Sequence, residues 1–252
     1  MTEPAFHAAI VYGLLVLSVP TFAFLTWKTA PYGRHDRAGW GPTVSSRVGW
    51  IIMEHPAVLV FVAVFALGRY RAELVPLLFL ALWQLHYVHR TFIFPFRMRA
   101  TGKRMPLALA LTGTLFNGTN AYINARWISH LERYTAAWLA DPRFLAGAAV
   151  FGAGLVMNLH ADTVLLNLRQ PGETGYKIPR GGMYRWVTSP NYLGELLEWF
   201  GWALMTWSLA GLAFAVYTAA NLVPRAISNH AWYRERFPEY PPARRALVPF
   251  VL

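Results

Sequence analysis

NLHADTVLLNLRQPGETGYKIPRGGMYRWVTSPNYLGELLE, residues 158–198, carries two apolar helical patterns on either side of a loop broken by Gly and Pro. The first pattern places Asn158, Asp162 and Arg169 at helical spacing, and the second does the same with Asn191, Glu195 and Glu198. Residues three or four apart share one face of a helix. The loop between carries Tyr176, Lys177 and Arg180. Ionisable groups on helices apolar enough for lipid are costly and point to a functional site. Side chains snorkelling from helix ends would give a similar pattern without function. The shared faces favour a site.

The rest of the composition agrees with a membrane setting. Of 252 residues, 56% are apolar and 14% charged, with a mean hydropathy of +0.31. Such values suit a membrane protein better than a soluble globule. The net charge of +11 invites a nucleic-acid reading, but the basic residues lie in short loops between apolar runs, as cytoplasmic loops do. No nucleic-acid partner is therefore expected. Cysteine is absent, which removes disulfides, thiolate chemistry and Cys-ligated metal. The first apolar run is of spanning length and lacks a basic leader, so no cleavable signal is expected.

The spans read as Ala5–Trp27, Trp50–Gly68, Leu74–Phe96, Pro106–Ala125 and Phe144–Leu168. The run Tyr192–Val223 is about twice the length one span needs, and it reads as two spans turning near Ser208. A basic, aromatic tail follows from Pro224. The expectation is an all-α polytopic membrane protein of seven transmembrane helices forming a single domain, residues 1–252. Lys and Arg crowd the first, third and fifth loops and the tail, including Arg99 in RMRATGKRM. The opposite side holds Arg69, Arg71, Arg126, Arg133 and Arg143. This bias places the N-terminus outside and the C-terminus in the cytoplasm.

The polar intramembrane groups, among them Glu54, Tyr87, Arg90, Asp162 and Glu195, all lie toward the cytoplasmic ends of their spans. They predict a polar pocket roofed by basic loops, suited to an anionic cytosolic ligand above and a lipid-soluble one below. Positive-inside bias with polar helix-to-helix glue remains the plainer account. No G-x-G-x-x-G or Walker motif is present. His86 and His89 stand three apart, too few for a metal centre, so no metal is expected. Glu54 and Tyr87 form a pair that could polarise a carbonyl oxygen, or simply tie two helices.

At these residues the chain resembles the steroid 5-alpha-reductases and their relatives, the polyprenol and enoyl-CoA reductases. The resemblance is carried by HYVHRTF at 86–92, NLHADTVLLNLR at 158–169, YKIPRGGMYRWVTSPNYLGELLEWFGWALMTWSL at 176–209 and ERFPEYPPARRALVPFVL at 235–252. It implies a seven-helix membrane enzyme, binding NADPH from the cytosol, that reduces the Δ4 bond of 3-oxo-Δ4 steroids. Hydride goes to C5 and a proton to C4. Glu54 and Tyr87 are expected to hold the 3-keto oxygen. Cofactor contacts carry over to Asn158, Asp162, Arg169, Tyr176, Asn191, Glu195, Arg225 and Tyr233, with Arg34, Lys103 and Arg244 at basic family positions. Met53 stands where the family usually has Gln, and Asn229 where a His is common, beside His230.

The expected partners are a steroid or other lipid-soluble enone and the bilayer, with the chain acting as a monomer. Arg, Ala and Trp usage suggests a bacterial source and hence an inner-membrane location, or the endoplasmic reticulum in a eukaryote. Other readings are a reductase of polyprenol or enoyl-CoA, an isoprenylcysteine-type methyltransferase, and a non-catalytic lipid-binding or transport protein.

Overall fold

The computed structural model describes residues 1–98, 102–170, 173 and 175–252; Arg99 of the basic loop lies outside them. The helices are α1 (Glu3–Trp27), α2 (Ser46–Ala66), α3 (Leu74–Val88), α4 (Phe94–Arg97), α5 (Leu107–Arg126), α6 (Pro142–Asn167), α7 (Pro190–Thr206) and α8 (Leu209–Arg236). A π-helical turn, His89–Ile93, joins α3 to α4 in one rod. The described residues thus form seven long helical rods, and α1, α2, α6 and α8 are each long and apolar enough to cross a membrane.

The long run after Tyr192 breaks where expected. Trp207 takes a left-handed conformation, φ 46°, and ends α7. Ser208 then caps α8 by accepting the Gly211 N–H. The last helix runs beyond the expected end of its span at Val223: α8 continues through Pro224 to Arg236. Proline removes one helical hydrogen bond, and α8 nonetheless continues across it. The loops are also not wholly irregular. Thr43–Ser45 (β1) and Arg104–Pro106 (β2) form a two-stranded antiparallel clasp, with Thr43 opposite Pro106. The clasp forms because its two loops lead into α2 and α5, which pack together.

Proline explains two further features. Pro56 lacks an N–H, so the Ile52 carbonyl in α2 loses its helical donor. The Thr114 hydroxyl of α5 takes that place at 2.7 Å, and His55 Nδ1 lies 2.8 Å from the same oxygen. In the π turn, Phe94 N donates five residues back to His89 O. Pro95 cannot donate to Arg90 O in the same register, and Trp50 Nε1 donates there instead, at 3.2 Å. Freed carbonyls at membrane depth need such partners.

The closest helix pairs are α6 with α7, α2 with α5 and α1 with α8. The core between them is aromatic. Trp83 stacks on Phe61 at 4.4 Å and donates its indole N–H to Ala57 O at 2.8 Å. Trp202 donates to Asn124 Oδ1 at 2.9 Å. Buried indoles are tolerated where the N–H finds an acceptor.

Candidate active site

Four glycines set the site's geometry. A Cβ added to Gly194 would lie 2.6 Å from Asn158 N, and one added to Gly154 would lie 2.5 Å from Gly194 O. Gly147 and Gly201 repeat the same backbone-to-backbone approach one heptad along. Small residues let membrane helices meet this closely. The result brings Asn158 and Asp162 of α6 against Asn191 and Glu195 of α7. Asn158 Nδ2 donates to Asn191 O at 2.9 Å, and Asn191 Nδ2 donates to Asp162 Oδ1 at 3.1 Å. Arg90, from the π turn, donates to Asp162 Oδ2 at 3.1 Å and lies 3.7 Å from Glu195 Oε2. Trp50 and Phe94 cover its guanidinium at 4.7 and 4.9 Å. Arg90 is thus the centre of this network, although its spacing alone marked it only as one intramembrane charge.

Glu54 and Tyr87 stand at one level of adjacent helices. Ala57, one turn beyond Glu54 on α2, accepts from Trp83, one turn before Tyr87 on α3. Both side chains are buried. Asn117 of α5 donates to Glu54 Oε2 at 3.2 Å and to Met53 O at 2.8 Å. Tyr87 stacks on Trp199 at 5.5 Å. No hydrogen bond joins Glu54 to Tyr87, so neither group is used up by the other. The Met53 side chain lies over Gly113 of α5, where a Cβ would clash with it.

Beside this pair is one that spacing did not reveal. His86 Nδ1 lies 2.7 Å from Glu198 Oε1, and both side chains are buried. His86 is only three residues from His89 in sequence, but His89 faces Arg97 at 3.5 Å. The heptad from Asn191 to Glu198 placed the carboxylate on the site's face without naming its partner.

The basic loops converge on aromatic rings. Arg34, in a 3-10 turn, lies over Tyr233 at 4.5 Å, Trp232 at 5.4 Å and Tyr176 at 5.6 Å. Lys103, held beside β2, lies over Tyr176 at 5.2 Å. Burial, followed by the charges of Arg169 and Arg34, pushes the Lys103 ammonium below the usual lysine range. Arg34 Nη1 is buried without a partner. Converging cations with an unspent buried donor fit the phosphates of a dinucleotide. Arg169 Nη1 donates to Gly175 O at 3.2 Å, and Tyr233 donates to Lys177 O at 3.3 Å.

Two expected members stand apart. Arg225 spends its donors on the protein: Nε on Tyr192 Oη at 3.1 Å, Nη1 on Ala30 O at 3.2 Å and Nη2 on Tyr32 O at 3.0 Å. It fixes the loop that carries Arg34. Arg244 lies beyond Tyr240, 5.2 Å from that ring, and lines an outward groove. Among the described residues no group of three or more His, Asp or Glu is placed to hold a metal ion.

Comparison with known proteins places this arrangement. Residues 103–252 match the family model described as 3-oxo-5-alpha-steroid 4-dehydrogenase. Steroid 5-alpha-reductase DET2 of Solanum lycopersicum is 48% identical over 246 residues, covering 96% of this chain and 95% of that protein. The Arabidopsis thaliana protein of the same name is 40% identical over 258 residues, covering 100% and 98%. Human 3-oxo-5-alpha-steroid 4-dehydrogenase 1 is 39% identical over 258 residues, covering 100% and 97%. These relatives are plant and human, and they lend no support to a bacterial source or a bacterial inner membrane. With a family model over more than half its length and such relatives from end to end, the chain belongs to the steroid 5-alpha-reductase family.

Proposed function

We propose that this protein reduces the Δ4 double bond of 3-oxo-Δ4 steroids with NADPH. The observation that carries this reading is the buried carboxyl–phenol pair, Glu54 and Tyr87, level on neighbouring helices beneath a cationic roof. When bound, NADPH supplies the hydride that adds to C5 of the enone. Negative charge then builds on the 3-keto oxygen. Tyr87 donates its phenol proton in a hydrogen bond to that oxygen, and Glu54 in its protonated form donates a second. Both bonds strengthen toward the transition state, which is where they accelerate the reaction. Proton uptake at C4 completes the reduction.

The surroundings preorganise these two groups. Asn117 fixes the Glu54 carboxyl, and stacking on Trp199 fixes the Tyr87 ring. Arg34, Lys103, Arg169, Tyr176 and Tyr233 would hold the phosphate end of the cofactor. Asn158, Asp162, Asn191, Glu195 and Arg90 would hold its inner end. Arg225 acts through the Ala30–Tyr32 loop.

For topology we infer seven spans, with the N-terminus outside and the C-terminus cytoplasmic. Charge pairing supports it. At the opposite end, Arg126 bonds Glu3, Arg133 bonds Glu73 and Arg143 bonds Asp141; at the basic end Lys177 bonds Glu173, but Arg34 and Lys103 face aromatic rings.

The test is NADPH consumption by the purified protein with and without testosterone or progesterone, with mass analysis of the product. Steroid-dependent consumption and a product heavier by two hydrogens are expected. Nucleotide binding without turnover would move the substrate to another enone or enoyl lipid. Folded protein that neither binds nor turns over would reject the reading.

A further inference from the structure

The buried side of α6 carries Gly147, Gly154, Asn158 and Asp162. Its opposite side carries Gly152, Val156 and His160, four residues apart and so on one line. Over that line close the 180–186 loop and the start of the C-terminal segment, forming a groove of about 1150 Å³. The floor is apolar: Gly152, Val156 and Met157. Val156 is 69% exposed. The rim is basic, with Arg180, Arg185 and Arg244, and no acidic side chain lines it among the described residues.

Arg244 makes this more than a basic surface. It is 4% exposed, and only Nη2 has a partner, the Pro179 carbonyl at 2.9 Å. Its Nε and Nη1 are buried with none. Unpartnered buried guanidinium N–H groups are costly, and a phosphate matches their fork geometry. The rim also has a membrane-interface signature. Trp186 meets Phe250 at 5.3 Å, and both rings remain exposed, as belt aromatics are at headgroup level. The groove therefore runs from headgroup depth at Arg244 to acyl depth at Gly152, and α6 separates it from Glu54 and Tyr87.

We propose that this groove binds an anionic glycerophospholipid, with its phosphate on Arg244, Arg180 and Arg185 and an acyl chain along Gly152 and Val156. A free nucleotide or phosphate would use the rim but not the floor.

The full-length protein in detergent would be titrated with dioleoyl phosphatidylglycerol or dioleoyl phosphatidylcholine and read by native mass spectrometry. Gly152→Phe fills the floor, since nothing lies within 4 Å of a Cβ there. Arg244→Gln removes the anchor. The anionic lipid should bind at least about tenfold tighter than the zwitterionic one, and each variant should lose about that factor. NADP⁺ affinity should be unchanged in Gly152→Phe. Equal binding of the two lipids, or full retention in Gly152→Phe, would overturn the proposal. So would displacement of the lipid by equimolar inorganic phosphate, which would leave only an anion site. If Arg244→Gln fails to fold, Gly152→Phe together with an Arg180→Gln, Arg185→Gln double variant decides.

Discussion

His86 Nδ1 stands 2.7 Å from Glu198 Oε1, joining α3 to α7 where neither side chain meets solvent. The His86 ring also lies edge-on to Tyr87 and Trp199, at 4.9 and 4.6 Å. Removing one partner of a buried pair strands the other and costs about 3–5 kcal/mol. Glu198→Ala should therefore lower the melting temperature in detergent, and Glu198→Gln, which keeps an acceptor, should lower it less. Because Tyr87 rests against His86, kcat should fall in Glu198→Ala while NADP⁺ affinity holds. An unchanged melting temperature would show that the pair bears no structural weight.

Tyr87→Phe deletes one hydroxyl and keeps the stack on Trp199. Loss of a single donor to a developing oxyanion typically costs about 10²–10³ in kcat. Steroid-dependent turnover should fall by that factor with NADP⁺ binding intact. Turnover equal to the parent's would remove Tyr87 from the chemistry.

Lys103 provides a pH signature. Its pKa lies below the ordinary value of about 10.4, because of burial and the neighbouring Arg169 and Arg34. Whatever its charge adds to phosphate binding is present at neutral pH and is lost as pH rises through that lowered pKa. NADP⁺ affinity measured against pH should therefore weaken before an ordinary lysine would titrate. Lys103→Arg, which stays charged, should remove that alkaline decline, and an identical profile in the variant would assign the effect elsewhere.

Gly194→Leu tests the helix contact beneath the site. The new Cβ would fall 2.6 Å from Asn158 N, and overpacking of this kind costs about 1–3 kcal/mol or more. Melting temperature and NADP⁺ affinity should drop together, since Asn158 leaves Asn191. Gly152→Ala on the open side of the same helix should change neither.

Much of this architecture is legible in the sequence because lipid demands long apolar runs. The break near Ser208 shows as a run too long for one span. Asn158, Asp162, Asn191 and Glu195 show as one face because spacing reports which side of a helix a residue occupies. Spacing does not report the neighbour. Glu198 was visible and His86 was visible, but their pairing spans 112 residues. Arg225 enters as a cofactor contact only through the family resemblance; its spacing does not show that two of its donors go to the carbonyls of Ala30 and Tyr32, nearly two hundred residues away. The Gly147, Gly154, Gly194 and Gly201 heptads were the one overlooked local signal, hidden among the apolar residues around them.

Those glycines have a mechanical consequence. With backbone against backbone at two levels a heptad apart, α6 and α7 have little room to re-pack against each other and so behave as a single stiff beam. On the proposed NADPH reading, the cofactor is not admitted by prising them apart. The give must come from the roof, the β1–β2 clasp and the Arg34 turn, which hang on hydrogen bonds and ring contacts that can be released one at a time.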